Sequence, residues 1–282
     1  MRQLIFALLV SGAVSLSHAA DKSGALTVSS ADGVPIAYEV HGQGEPALVL
    51  VHGWSCDRSY WKEQIEYLSP QHRLVLVDLA GHGESGAGRK DYTMSAFGGD
   101  VAAVVDSLGL HKVVLVGHSM GGDVVVEAAK QLPGRVVGLV WVDDYKSLGP
   151  PRSAAEVDAF VAKFRKDFRG TTNSFVRGLF APNADPKLVD RVAKDMASAP
   201  PAVALSALHN SFANAAHIPA DLAALKLPVV AINSDRDPTD HESLGKNGVK
   251  AFVMPDSGHF LMLEDPPRFN RSLDSIVKGF AQ

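Results

Sequence analysis

Serine, histidine and aspartate recur at the ends of apolar runs in this chain, and together they suit acyl transfer. Ser119 lies in Gly117-His118-Ser119-Met120-Gly121, a G-x-S-x-G pattern between the apolar run Val113–Val116 and a helix-length segment, Met120 to Gln131. Strand, tight turn and helix in that order form a nucleophile elbow, which lifts the serine hydroxyl above a sheet at the positive end of a helix. Side chains at positions 117 and 121 would collide with the neighbouring strand and helix, so glycine is required there. A serine hydroxyl attacks only if a base takes its proton, and the base must be held in one tautomer by an acid. His259, in Asp256-Ser257-Gly258-His259-Phe260 after the apolar run Val249–Met254, is the expected base. Asp237, in Ser234-Asp235-Arg236-Asp237-Pro238 after the run Pro228–Asn233, is the expected acid. Asp235 in the same loop is a rival, and Asp143 and Asp144, after the preceding strand, are more serious ones because that strand end faces the same edge. The developing oxyanion needs backbone N–H donors. Met120, just after the nucleophile, is one candidate, and Trp54, in the His52-Gly53-Trp54 turn after another apolar strand, is the second.

These residues need a sheet to bring them together. Ala25–Ser29 and Pro35–Val40 read as a hairpin around an Asp-Gly turn. Ala47–Val51, Leu74–Val77, Val113–Val116, Val136–Val142, Pro228–Asn233 and Val249–Met254 are nearly all-apolar runs. They alternate with helical segments at 61–68, 93–108, 120–131 and 266–280. Uninterrupted apolar strands alternating with helices imply an α/β fold with a mostly parallel, doubly wound sheet covered on both faces. Between about Tyr145 and Leu225 no strand-like run occurs. Val157, Phe160, Val161, Phe164 and Phe168 recur there at helical spacing, and Asn183-Ala184-Asp185-Pro186 marks a helix start. Residues 145–225 are therefore expected as a helical cap inserted into a core domain formed by 20–144 and 226–282.

Composition narrows the partners. A formal charge of −4 and the absence of a basic stretch argue against nucleic acid and against a charged membrane surface. Cys56 is the single cysteine, so no intrachain disulfide can form. The 11 histidines are scattered without metal-ligand spacing, and no metal or other cofactor is expected. At the start, Arg2, the apolar stretch Leu4–Leu16 and Ser17-His18-Ala19 have the order of a signal peptide, with cleavage after Ala19. The stretch is too short to span a bilayer comfortably, and no cysteine follows the cleavage site, so no stable membrane anchor is expected. The protein is expected to be exported, periplasmic or secreted.

The assembled motifs resemble the α/β-hydrolase fold family, in its serine hydrolase and esterase branch. The resemblance runs from Ala25 to the C-terminus outside the insertion. It is carried by His52-Gly53-Trp54, Asp78 with Gly81-His82-Gly83-Glu84-Ser85, Gly117-His118-Ser119-Met120-Gly121-Gly122, Ser234-Asp235-Arg236-Asp237 and Gly258-His259-Phe260, and by the chain order Ser, Asp, His. It implies that Asp78 and its glycine-rich turn brace the sheet edge, and that His118 packs rather than reacts. Serine at the elbow, where carbon–halogen and epoxide-cleaving relatives carry aspartate, implies acyl transfer to water. A small-molecule carboxylic ester of apolar character is the expected substrate. Lactone or carbon–carbon bond hydrolysis, perhydrolysis and acyl transfer are alternatives on the same triad, and a non-catalytic binding protein is a further one. The cap aromatics Phe160, Phe164, Phe168, Phe175, Phe180 and Phe212 have two readings, as packing of the cap onto the core or as the lining of an apolar pocket.

Overall fold

The computed structural model describes residues 24–280. The expected leader, 1–19, lies outside the described residues. Eight strands form one sheet: β1 (Leu26–Ser29), β2 (Pro35–His41), β3 (Ala47–Val51), β4 (Leu74–Val77), β5 (Val113–His118), β6 (Val136–Val142), β7 (Val229–Ser234) and β8 (Val249–Met254). Their order across the sheet is β1-β2-β4-β3-β5-β6-β7-β8. β2 runs antiparallel to β1 and β4, and every other pairing is parallel. The all-apolar runs are central because only positions covered on both faces need no polar alternation. β3, β4 and β5 are accordingly buried at every residue, whereas the edge strand β8 exposes Phe252 and Val253.

Helices flank the sheet. α1 (Lys62–Leu68) packs with the closing helix α11 (Pro266–Phe280), and α2 (Met94–Ser107) with α3 (Met120–Gln131). A 3-10 turn, Arg58–Trp61, precedes α1 and takes in Trp61, the first residue of the segment expected as a helix; the Asp57 side chain caps it, accepting from Ser59 N–H. Two short helices, α9 (His241–Lys246) and α10 (Leu261–Glu264), were absent from the sequence reading. At six and four residues they are too short to show a period.

Between β6 and β7 the chain passes through five helices: α4 (Ala154–Lys166), α5 (Phe168–Arg177), α6 (Pro186–Met196), α7 (Pro201–Asn214) and α8 (Ile218–Leu225). Local chemistry sets their starts. Ser153 and Glu156 form a reciprocal capping box on α4, while Asp185 caps α6 ahead of Pro186 in its first turn. Trp54 anchors this helical layer to the sheet. Its indole N–H donates to the Ala204 carbonyl at 2.7 Å, and Phe164, Phe168 and Phe175 meet its ring edge-on at 5.4, 6.2 and 6.5 Å. Each such aromatic pair contributes about 0.5–1.5 kcal/mol beyond the area it buries.

Candidate active site

The elbow is built as its glycines require. A Cβ at Gly117 would lie 2.1 Å from the Gly121 carbonyl oxygen, and one at Gly121 would lie 2.6 Å from that of Val51. Such approaches exclude any side chain, so the strand, turn and helix can pack this closely only with glycine. Ser119 sits at φ 51°, ψ −130°, a left-handed conformation that costs a non-glycine residue about 1–3 kcal/mol. Two hydrogen bonds hold it there: its N–H donates to Val142 O at 3.0 Å, and its carbonyl accepts from Gly122 N–H at 2.7 Å.

His259, in the loop after β8, meets a carboxylate from the end of β6, two strands away, and that carboxylate is Asp143. His259 Nδ1 lies 2.8 Å from Asp143 Oδ2. A carboxylate only accepts, so Nδ1 carries the proton and Nε2 presents its lone pair. The expectation that Asp237 holds the imidazole is corrected. Asp237 is 56% exposed at its side chain and pairs with Arg236 beside it, whereas Asp143 is 4% exposed. The reason is positional. β6 lies directly beside β5, which leads into Ser119, while β7 is one strand further out. Asp143, at φ 50°, turns off the end of β6 so that its carboxylate meets the ring. The β7 end contributes backbone instead: Ser234 N–H donates to Asp143 Oδ1 at 2.6 Å. Asp235, the rival in that loop, accepts from the N–H groups of Asp256 and Ser257 at 2.9 and 3.2 Å and so braces the loop that carries His259.

One contributor escaped the sequence reading. Lys146 Nζ donates to Asp143 Oδ1 at 2.6 Å and is itself tied to Ser234 O at 2.7 Å. Burial by itself raises the Asp143 pKa, but the His259 hydrogen bond and the lysine charge prevail and hold the carboxyl well below the ordinary range. A lysine three residues after an acid at a strand end is the signal that was available. The cap also reaches the site, because His259 N–H donates to Leu179 O at 2.8 Å.

The two residues expected as oxyanion donors lie beside Ser119. Trp54, Met120, Ser119 and His259 line one cavity of about 210 Å³. A Cβ on Gly53 would come within 3.2 Å of the Ser119 Cβ, so the turn bearing Trp54 presses against the elbow. Neither the Trp54 nor the Met120 N–H has an acceptor among the described residues. His52 fixes the turn, with Nδ1 2.8 Å from Gly53 O and Nε2 accepting from Leu79 N–H at 3.0 Å. Ser119 Oγ makes no hydrogen bond with any described residue.

The residues expected to be structural behave so. Burial, with the neighbouring His259, lowers the His118 pKa to about 3, and its Nε2–H donates to His259 O at 2.9 Å. Asp78 accepts from the N–H groups of Arg58 and Glu84 at 2.7 and 2.8 Å and pairs with the Arg58 guanidinium. The cap aromatics divide between the two readings. Phe175 and Phe212 line the cavity, Phe160 and Phe164 pack within the cap, and Phe180 stacks on Phe260 at 4.8 Å. Among the described residues no helix is long and apolar enough to cross a membrane, and no group of three His, Cys, Asp or Glu side chains could hold a metal ion.

Fold and site together define a class, and the comparisons agree with it. The chain belongs to the alpha/beta hydrolase family, whose family model matches residues 48–272. It is similar to a thermophilic esterase from Thermogutta terrifontis, with a TM-score of 0.80 and 25% identity, covering 92% of this chain and 100% of that one. It is also similar to Est816, an N-acyl homoserine lactone degrading enzyme, with a TM-score of 0.75 and 26% identity over 89% of this chain and 99% of that one. A curated relative, the dihydrolipoyllysine-residue acetyltransferase component of the acetoin cleaving system of Pseudomonas putida, is 28% identical over 250 residues, 86% of this chain and 66% of that protein. The chain thus spans less than two thirds of that relative's length. These kinships support hydrolase chemistry on small molecules.

Proposed function

We propose that this protein hydrolyses carboxylic esters through an acyl-enzyme, with Ser119 as nucleophile, His259 as base and Asp143 as the acid. The observation that carries this reading is the 2.8 Å contact of His259 Nδ1 with Asp143, in a cavity shared with a serine held at a strained elbow. Ser119 Oγ attacks the ester carbonyl while its proton passes to His259 Nε2, a contact that tightens to hydrogen-bond distance when substrate is bound. The negative oxygen settles between the N–H groups of Met120 and Trp54. The imidazolium, stabilised by Asp143, then protonates the departing alkoxide as the carbon–oxygen bond breaks. Water, deprotonated by His259, attacks the acyl-enzyme by the same route in reverse and releases the acid.

Two measurements test this. A fluorophosphonate probe should label the protein, and a p-nitrophenyl ester series should be turned over, both lost in Ser119→Ala. A folded wild-type protein that is neither labelled nor active would overturn the proposal. Lactones suit the same chemistry, and the likeness to a lactone-degrading enzyme favours them as a second substrate class. Parallel turnover of an acyl lactone separates the two.

Export is a further part of the proposal, supported by the Arg2, Leu4–Leu16 and Ser17-His18-Ala19 pattern. Mass spectrometry of periplasmic or culture-medium protein should find Ala20 as the N-terminus. An intact Met1 on all of the protein would refute it.

A further inference from the structure

The cavity shared by Ser119 and His259 is apolar along Phe175, Leu208 and Phe212, yet Asp144 and Ser211 also line it. Asp144 follows the triad acid directly, and its carboxyl lies over the first turn of α3. A Cβ at Gly122 would sit 2.0 Å from Asp144 Oδ2, so glycine is what makes room for the acid. Gly122 N–H donates to the carbonyl of Ser119. Asp144 therefore packs on the first turn of the helix that follows Ser119, and both residues line the same cavity. Its Oδ2 is buried and has no hydrogen-bond partner among the described residues.

The adjacent Asp123 divides the labour between the two acids. It accepts from Tyr145 OH at 2.6 Å, Ser211 Oγ at 2.7 Å and Asn214 Nδ2 at 3.4 Å. Three donors favour a charge on Asp123, and none favours one on Asp144. Buried carboxyls that repel one another do not readily both ionise, so Asp144, which lacks donors, is the one that keeps its proton. Burial raises the pKa of both, and Asp123 raises that of Asp144 further. A protonated carboxyl offers one O–H donor and one carbonyl acceptor. Ser211, whose proton is directed at Asp123, offers lone pairs beside it.

We propose that Asp144 and Ser211 form a polar subsite next to the reacting carbonyl, selecting substrates that carry a neutral hydroxyl or amide on the group held in this cavity. The inference rests on the hydrolase reading above and names its substrate class. A hydroxyl can pair with the Asp144 carboxyl from the cavity, whereas a plain hydrocarbon chain leaves that carboxyl without a partner. An ammonium finds no charge on Asp144 to pair with. The volume of about 210 Å³ suits a group somewhat larger than a benzene ring, which fits a cavity of about 150 Å³.

The test compares 3-hydroxybutyrate, butyrate and 4-aminobutyrate esters of one alcohol. Calorimetric binding to the inert Ser119→Ala protein is measured alongside kcat/KM of the wild type. The hydroxylated ester should be preferred over butyrate at least tenfold in both. Asp144→Asn, which keeps a donor and an acceptor, should retain the preference. Asp144→Leu should abolish or invert it, and Ser211→Ala should weaken it. Each ratio is taken within one variant, so a general loss of activity or stability cancels. Equal binding of hydroxylated and plain esters, a preference for the amine, or a ratio unmoved in Asp144→Leu would overturn the subsite. Selective binding without any turnover would uphold the subsite and reject the hydrolase reading instead.

Discussion

The ends of β6 and β7 are adjacent, both carry aspartates, and they have been put to opposite uses. At β6, Asp143 is buried and its two oxygens are divided, Oδ2 to His259 and Oδ1 to Lys146 and Ser234 N–H. At β7, Asp235 ties down a neighbouring loop and Asp237 faces solvent against Arg236. What separates them is not residue type but the backbone. One strand end turns through a left-handed residue toward the elbow, and the other carries its acids outward. The most forceful way to break this comparison is to exchange the roles by mutation. Asp143→Asn should lower kcat by roughly 10³–10⁴-fold, because the imidazole loses both tautomer control and the partner of its positive form. Asp237→Asn should stay within about twofold of wild type. Ester turnover of both proteins, with circular dichroism to confirm folding, decides it. The reverse pattern would restore Asp237.

Stability separates the same two ends. The Asp143 carboxyl is held below its unfolded value, so the folded state favours the ionised form. Its contribution is fully present above the unfolded pKa of about 4 and is lost as pH falls through the folded one. Asp143→Asn should cost about 2–3 kcal/mol at neutral pH, an order-of-magnitude figure for a salt-bridged buried carboxylate. The gap to wild type should narrow steadily below pH ~4. Urea midpoints from pH 7 to pH 2 measure this, and a gap independent of pH would show that Asp143 is not ionised in the folded protein. Asp123 runs with the opposite sign. Burial raises it to about 6, so its contribution weakens as pH rises from about 4 to about 6 and is level above that. Asp123→Asn should remove that part of the slope.

A smaller effect is expected from the lysine that distinguishes the β6 end. Lys146→Met removes the hydrogen bond and positive charge from Asp143 Oδ1 and leaves Ser234 N–H on that oxygen, with His259 on the other, to orient the carboxylate. A loss of about tenfold in kcat, near 1.4 kcal/mol, is expected with KM little changed, since Lys146 is not itself a lining residue of the cavity and reaches it only through Asp143. Lys146→Arg should recover part of it. A rise in KM at constant kcat would place the lysine in substrate binding instead.

How much of this was legible follows from what each feature depends on. Apolar runs marked six of the eight strands, most plainly the central ones, where burial on both faces leaves a compositional trace, and an Asp-Gly turn marked the first two. The elbow around Ser119 and the strand-end loop of His259 were legible, one from its flanking glycines and the other from an apolar run late in the chain. The carboxylate that meets His259 was not, because a choice between Asp143 and Asp237 depends on strand order and on one backbone angle. Neither is written in local residue type. Strand order alone would have favoured Asp143, since β6 pairs directly with β5. The cap was readable as helices, with Asp185 and Pro186 marking one start. Which of its aromatics face the cavity was not, because Phe160, Phe164, Phe175 and Phe212 share one apolar cluster and only their three-dimensional arrangement divides them.

The smallest effect sharpens the comparison from the β7 side. Asp235 and Asp237 are two residues apart and both exposed, yet only Asp235 reaches the His259 loop, through the N–H groups of Asp256 and Ser257. Asp256 itself is at φ 57°, so the loop holds a left-handed turn that these bonds help to keep closed. Exposed bonds of this kind are weak, and Asp235→Ala should lower Tm by only about 1–3 °C. The loop places the imidazole, however, so kcat should fall severalfold while Asp237→Ala leaves both quantities unchanged. If the two alanine variants behave alike in calorimetry and in ester turnover, the β7 end has no part in positioning His259. The division of roles would then lie wholly at β6.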